Sequence, residues 1–531
     1  MSILAPRLIR APAASGLTRA WSVEAILAHE QALFAGGVDA YGLMESAGAA
    51  AFDALCERWP KAARLAVLVG SGQNGGDGLV VARLAHRAGL EVNLLGWQEP
   101  DFHGSAAQAW AALREAMPSV DVHAAPEVIF EALTSADVVV DALFGIGLSG
   151  PIGGTPASFL ERVQQTLEIM PTRPGVLAVD LPSGLNADTG VVDPLTLTAD
   201  VTVTFLGIKR GQVTGRALAV CGERVLAELG YPLEAEGHAP DDSLALLPGG
   251  IRLAARPQDG HKGSFGTLLV VGGNRGMPGA ARLAAESALR AGAGKVIVAT
   301  HPTHAATLNI GRPELIVHGA ESAEDVLSLI GEASAIVIGP GLGRDDWAAE
   351  IWRALHDGSL PMVVDAEALR LLRPQSLQGR QAVITPHPGE AAGMLDCETS
   401  EINADRIAAA RILSARFGCG VVLKGAGSVL ADGERLAVCQ RGSPALATAG
   451  SGDVLAGLLG AFFGMGMARF EAMEAAVCVH AEAGEDEAAR DGEWGMAAGE
   501  LCELIRARLN GRGRSIDGGW RRVFSEGGND G

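Results

Sequence analysis

Twice along the chain, short runs that are apolar on both faces alternate with helical patterns, and this alternation fixes the fold class. The first series is RLAVLVG from Arg64, then GLVVARLAHRAG, EVNLLGW, DVVVDALFG, GVLAVDLPSG and ADVTVTFLG, ending near Leu206. A strand without a polar face needs cover on both sides, and intervening helices imply a parallel sheet. Between Tyr231 and Gly260 the pattern lapses into PLEAEGHAPDDS and ARPQDGHKG, a linker rich in Pro, Gly, Asp and His. It resumes with GTLLVVGG (266–273), KVIVAT (295–300), SAIVIGPG (334–341), PMVVDAE (361–367), AVITPHPGE (382–390) and GVVLKGAG (420–427). Two α/β domains are expected, over 21–235 and 236–510, with a loose extension at 1–20 and a mobile tail at 511–531. The length of 531 residues agrees, being too great for one core.

Charge and cysteine usage narrow the partners. With 42 Lys plus Arg against 62 Asp plus Glu, a formal charge of -20 repels phosphate backbones and anionic lipid, so nucleic acid and membrane surfaces are excluded as partners. The longest uncharged stretch, Val454 to Ala468, is too short to span a bilayer and reads as a buried helix. Seven cysteines without a C-x-x-C spacing suit neither a disulfide framework nor a zinc cage, and point to a reducing cytoplasm.

In the first domain, Gly70-Ser71-Gly72-Gln73-Asn74-Gly75-Gly76-Asp77-Gly78 lies between a strand and a helix expected near Leu79. Glycines admit an anion close to the backbone, and the helix start supplies free N–H groups; a plain tight turn is the equal alternative. Asp141 closes VVVDALFG ahead of the flexible loop Gly145-Ile146-Gly147-Leu148-Ser149-Gly150-Pro151, and Asp180 closes LAVD ahead of Leu181-Pro182-Ser183-Gly184. A lone Asp at a strand end is more often a helix cap, but three polar strand ends in one parallel sheet converge on one crevice.

GSGQNGGDG, VDALFGIGLSG and VDLPSGLNADTG, preceded by LMESAGAAAF (43–52), resemble the NAD(P)HX epimerases in order and spacing. The resemblance implies a Rossmann-like domain in which Asn74, Asp141 and Ser183 help hold potassium. Gln73, Asn74, Gly75, Gly76, Asp77, the 145–151 loop and Asp180 would line the substrate, with Asp180 as acid-base residue. Gln73 stands where the family usually has Asn. Epimerisation at the hydrated ring carbon, by proton exchange or transient ring opening, needs a positioned base.

In the second domain, Thr448-Ala449-Gly450-Ser451-Gly452-Asp453 leads into VLAGLLGAFFGMG. Glycines before a helix again make an anion hole, and Asp453 is either a simple N-cap or a base at the phosphate position. The motif resembles ribokinase-like enzymes. Together with HKGSFG (261–266), GMPGAARLAAESALRAGAG (276–294), GPGLGRD (339–345), TPHPGE (385–390) and KGAGS (424–428), it resembles the ADP- or ATP-dependent NAD(P)HX dehydratases. By that resemblance Ala280, Gly341 and His387-Pro388-Gly389-Glu390 touch the hydrated cofactor. Lys424, Gly425, Ala426, Gly427, Ser428 and the run Ser443 to Gly452 cradle ADP or ATP with Mg²⁺, and Asp453 faces the reacting hydroxyl. Ser443, Ala445 and Ser451 depart from the family's usual run. The likeness also implies a homo-oligomer. Hydroxide leaves poorly, so phosphoryl transfer to the ring hydroxyl is what couples dehydration to nucleotide cleavage.

The runner-up is a small-molecule kinase of ribokinase-like fold whose first domain senses nucleotide or serves as a scaffold. His301 and His304 have no third ligand nearby and read as a solvated loop. No H-E-x-x-H, GxxxxGK or G-x-S-x-G stretch occurs.

Overall fold

The computed structural model describes residues 3, 5–10, 18–98, 101–233, 243–513 and 520–523. The chain divides into two units, Arg19–Leu244 with Gly519–Gly531, and Met1–Thr18 with Ala245–Gly518.

In the first unit eight parallel strands run in the order Trp520–Val523, Glu223–Ala227, Val201–Phe205, Gly175–Val179, Val138–Ala142, Arg64–Val69, Glu91–Leu95 and Val122–His123. Helices Ala40–Arg58, Gln73–Arg87 and Gly104–Ala116 pack on one face through Leu55, Leu79 and Ala109, whereas Pro126–Ser135 and Gly154–Ile169 cover the other through Ile129 and Val163. Both faces of every central strand are therefore buried, as the unbroken apolar runs require. The chain reverses direction across the sheet between Arg64–Val69 and Val138–Ala142, and a crevice opens at the carboxyl ends of strands at such a switch.

The second unit repeats the plan. Its strands run Ile316–Gly319, Lys295–Thr300, Thr267–Val271, Ala335–Ile338, Met362–Val364, Ala382–Ile384, Gly420–Leu423, Val429–Asp432, Arg435–Cys439 and Leu244–Leu247. Val429–Asp432 pairs antiparallel with both its neighbours, Gly420–Leu423 and Arg435–Cys439. The reversal here lies between Thr267–Val271 and Ala335–Ile338. The uncharged stretch forms the helix Ser451–Gly464, buried from Val454 to Gly464. It sits so close to the helix Pro278–Ala291 that a Cβ on Gly457 would collide with the Ala284 carbonyl oxygen.

The ends of the chain are not loose where they are described. Leu8–Arg10 pairs antiparallel with Ile251–Leu253, and Arg10 reaches Glu474 at 2.8 Å. Trp520–Val523 adds a parallel strand beside Glu223–Ala227, with Trp520 buried under the Arg224 guanidinium at 4.7 Å. The expected extension and tail were inferred from missing periodicity, but an edge strand is held by main-chain hydrogen bonds and one anchored side chain, which need none. Residues 11–17, 514–519 and 524–531 of those segments, and 234–242 of the linker, lie outside the described residues. No helix among the described residues is long and apolar enough to cross a membrane.

Candidate active sites

At the switch of the first unit the helix starts at Gln73, not near Leu79. The glycines explain the difference. Gly75, Gly76 and Gly78 keep negative φ inside the helix, so they are not there to reverse the backbone. A Cβ would strike the Gly70 carbonyl oxygen from Gly75, the Met44 side chain from Gly76 and the Ala142 methyl from Gly78. Tight packing outweighs the cost of about 1 kcal/mol for each glycine in a helix. Gln73 is exposed on the first turn, whereas Asn74 is buried with both amide atoms unpartnered among the described residues.

Asn74 abuts Gly145, and the preceding Phe144 N–H donates to the Ser183 hydroxyl at 2.9 Å. That hydroxyl donates in turn to Asp141 at 2.5 Å, and the Ser183 N–H to the same carboxylate at 2.8 Å. Burial pushes the wholly enclosed Asp141 carboxyl up, while the Ser183 bonds pull the other way. An amide oxygen, a carboxylate and a hydroxyl thus gather on adjoining strand ends, a hard-oxygen set suited to a cation. Of the 145–151 loop, Gly145 and Ile146 reach inward, Leu148 is half-buried, and Gly147 with Ser149 to Pro151 is exposed.

Asp180 follows the strand Gly175–Val179 at a φ of 63°, a left-handed conformation that Asp tolerates better than most residues. Its carboxylate accepts from the Thr204 hydroxyl at 3.2 Å, the Phe205 N–H at 3.3 Å and the Lys209 ammonium. Lys209 is fully buried and also donates to Thr204 at 2.9 Å and to the Phe205 carbonyl at 3.0 Å. Two more carboxyls face this pair. Burial first, and then the Asp180 charge, raises Asp77 well above its ordinary value and raises Glu30, with Lys209 opposing both. Sequence reasoning missed Lys209 and Glu30. The one signal was a lysine inside the apolar run FLGIKRG of a chain that has five lysines.

In the second unit Gly450, at φ 90°, caps the helix Ser451–Gly464 without a side-chain bond, so Asp453 is not its N-cap. Asp453 stands on the first turn beside a lysine-centred cluster. The Lys424 ammonium lies 2.8 Å from Asp365 and 3.8 Å from Glu390, and a Cβ on Gly452 would come within 3.2 Å of it. Burial opposes the Lys424 charge, yet Asp365 and Glu390 hold its pKa above the ordinary value. Burial, then Asp365, raises the Asp453 carboxyl to about 7, against the pull of Lys424. Asp365, buried at the end of Met362–Val364, was read in the sequence only as part of a strand.

The remaining predicted residues fall around this cluster. A Cβ on Gly341, at φ 61°, would lie 3.2 Å from Ala280, which brings those two together. His387 caps the helix Pro388–Leu395, accepting from Gly389 N–H at 3.0 Å, while Glu390 accepts from His387 N–H at 2.7 Å. Ser428 closes the Gly425-Ala426-Gly427 turn by donating to the Gly425 carbonyl at 3.0 Å. The Ser451 hydroxyl donates to Leu446 at 2.9 Å, which ties the helix start to the 443–449 run holding Thr448 and Ala449. His301 caps the short helix Pro302–Ala305, and among the described residues no three His, Cys, Asp or Glu side chains converge as a metal cage.

Each unit therefore sets a carboxylate beside a lysine near a helix start built on glycine, the arrangement of an α/β enzyme with one phosphate-compatible site per unit. The model for the YjeF-related protein N-terminus matches residues 40–211, and that for NAD(P)H-hydrate dehydratase matches 268–507. The chain is 39% identical over 478 residues to the bifunctional NAD(P)H-hydrate repair enzyme Nnr of Coxiella burnetii, covering 89% of this chain and 96% of that protein. The Escherichia coli enzyme of the same name is 37% identical over 481 residues, with 89% and 90% covered. The Bacillus subtilis ADP/ATP-dependent NAD(P)H-hydrate dehydratase, co-crystallized with ATP/Mg²⁺, superposes with a TM-score of 0.44 at 26% identity, over 49% of this chain and 94% of its own. The chain belongs to the family of bifunctional NAD(P)H-hydrate repair enzymes. The Rossmann-like first half and ribokinase-like second half expected from the motifs agree with the two α/β units observed.

Proposed function

We propose that the chain restores hydrated NADH and NADPH, the first unit interconverting the R and S epimers of NAD(P)HX and the second dehydrating the S epimer with cleavage of ADP or ATP. The observation that carries this reading is Asp453, a carboxyl raised to about 7 on the first turn of a glycine-led helix and beside Lys424. A base poised near neutrality takes the proton of the ring hydroxyl as its oxygen attacks the terminal phosphoryl group of the nucleotide. Phosphate then leaves with the C–O electron pair, and loss of a ring proton restores the double bond. Lys424 and the N–H groups opening the helix at Ser451 neutralise charge on the moving phosphoryl group. Ala280, Gly341 and His387 to Glu390 position the hydrated ring, and Gly425 to Ser428 with 443–452 hold the nucleotide. Mg²⁺ bound with the nucleotide would add charge neutralisation there, since this ion needs few protein carboxylates when phosphate oxygens are present.

In the first unit Asp180 and Lys209 form an acid-base pair that takes a proton from the substrate and returns one, whichever route inverts the carbon. Asn74, Asp141 and Ser183 would hold potassium, which would supply a positive charge beside the substrate. The unpartnered Asn74 amide supports that assignment. All seven cysteines are free thiols, in keeping with a reducing cytoplasm. The chain works as a homo-oligomer, which sedimentation would check.

The deciding experiment supplies the R and S mixture with ADP, ATP or no nucleotide and follows recovery of dihydronicotinamide absorbance. Complete recovery only with nucleotide is expected. A stable phosphorylated product in place of free phosphate would identify a kinase instead.

A further inference from the structure

In the second unit the helix Arg469–Asp491 holds the 441–451 run at three points. Glu485 accepts from the Arg441 guanidinium at 2.9 Å and from the Gly442 N–H at 2.7 Å. Gly484 leaves room for Leu446, whose Cγ would lie 2.5 Å from a Cβ placed there. His480, four residues earlier and so on the same helix face as Gly484, brings Nε2 to 2.9 Å from the Ser451 carbonyl oxygen. A carbonyl oxygen only accepts, so Nε2 carries the proton and donates. The ring is buried, and burial, joined by the charge of Lys424, lowers its pKa to about 4 against the pull of the Ser451 bond. At neutral pH the imidazole is therefore uncharged.

What that bond fixes is a peptide plane. The Ser451 carbonyl and the Gly452 N–H belong to one planar trans unit, in which the two point opposite ways. Tying the carbonyl to His480 on one side sets the direction of the N–H on the other. That N–H lies in the first turn of the helix Ser451–Gly464, where it has no acceptor within the helix. Gly452 also faces the lysine-centred cluster, since a Cβ on it would lie 3.2 Å from the Lys424 ammonium and 3.9 Å from the Asp365 carboxylate. Gly450 and Gly452 leave this turn conformationally free, and Gly450 caps the helix without a side-chain bond. The turn is held instead from outside, by the Ser451 hydroxyl on the Leu446 carbonyl at 2.9 Å and by His480. An N–H stabilises developing charge well only when it is aimed beforehand.

We propose that His480 is a positioning residue for phosphoryl transfer, which holds the Ser451 carbonyl and thereby aims the Gly452 N–H at the terminal phosphoryl group of the bound nucleotide. The role rests on the repair reading above, because it requires the 443–452 run to cradle ADP or ATP. His480 acts through Ser451 and takes no proton from the substrate; Asp453 keeps that task.

The test compares His480→Leu, which removes the donor at similar volume, with His480→Gln, which keeps an N–H donor. ADP and AMP affinities are read by calorimetry, and kcat and KM for S-NADHX at saturating ADP are read by absorbance, each per folded site. His480→Leu is expected to lower kcat about tenfold or more with the KM for S-NADHX unaltered, and to weaken ADP about threefold to tenfold while AMP, which lacks the transferred group, binds as before. His480→Gln is expected to restore most of both losses. Equal weakening of ADP and AMP marks a mere packing role and overturns the proposal, as do equal losses in the two variants or no loss in His480→Leu. Nitrogen-15 spectra of the wild-type imidazoles give a reading independent of how the variants fold: His480 is expected as the neutral Nε2–H tautomer at neutral pH, and the Nδ1–H tautomer overturns the proposal. A wild-type chain that binds ADP yet recovers no cofactor sinks the repair reading alone, and the comparison of ADP with AMP then still decides His480; a wild type that binds neither nucleotide overturns both.

Discussion

Replacing Asp453 by Asn should remove dehydration and yet make the ligand-free protein more stable in alkaline solution than in acid, relative to wild type. The carboxyl is lifted from an ordinary 3.8 to about 7, chiefly by burial and then by Asp365. Below about pH 4 it is protonated in both folded and unfolded chain, and nothing is lost. As pH rises from about 4 to 7 the unfolded carboxyl ionises while the folded one keeps its proton, so stability falls, and above 7 the loss is complete. At about 1.4 kcal/mol per pH unit the penalty is roughly 1.7 kcal/mol at pH 5 and roughly 4 kcal/mol at pH 8. Asn carries no such penalty. Whatever it loses in contact with Lys424 is common to both pH values, so the variant should gain about 2.5 kcal/mol over wild type between pH 5 and pH 8. Urea unfolding at the two pH values, followed by circular dichroism, reads this double difference, and ADP-dependent recovery should fall by about 10²–10⁴. A gap that is absent or of opposite sign would show that Asp453 is not the buried, neutral-leaning carboxyl its surroundings require.

Four other outcomes are expected. Asp180→Asn should let recovery from an epimer mixture stop at the S fraction, whereas wild type proceeds to completion; an unaltered second phase would remove Asp180 from epimerisation. Lys209→Met leaves Asp180 buried without its cation and should cost about 3–5 kcal/mol in urea unfolding, because breaking a buried pair strands a charge. Gly75→Ala should lose about 3 kcal/mol or more from the collision with Gly70, while Gly72→Ala, with open space where its Cβ would go, should lose little; thermal melts compare the two. Exchanging potassium for lithium should slow epimerisation, and Asn74→Ala should abolish that sensitivity, which a rate series in each salt would reveal.

Element types were readable because apolar runs on both faces leave a buried parallel strand as the natural solution, and both sheets follow it. Asp141, Asp180 and Asp453 were readable because polar strand ends and glycine-led helix starts mark crevices in such folds. Asp365 carries the same mark in PMVVDAE, but no glycine run follows it to set it apart from an ordinary strand end. Lys209 carried only the weak mark of a lysine in an apolar run; it joins the site because the turn after Val201–Phe205 folds it back onto Asp180, 29 residues earlier in the chain. The early start of the helix at Gln73 was hidden because glycine signals a turn locally, and only the neighbours at Gly70, Met44 and Ala142 reveal that space was the constraint.

The two terminal strands bear on how this polypeptide can be made. Leu8–Arg10 leaves the ribosome first but has no partner until Ile251–Leu253 emerges, roughly 240 residues and about 12–50 s later at ordinary synthesis rates. Glu223–Ala227 likewise keeps an open edge until Trp520–Val523 arrives, a longer interval in which its unpaired N–H and C=O groups can recruit a foreign strand. Fragments cut within the linker, near residue 240, would each carry the strand that the other one needs.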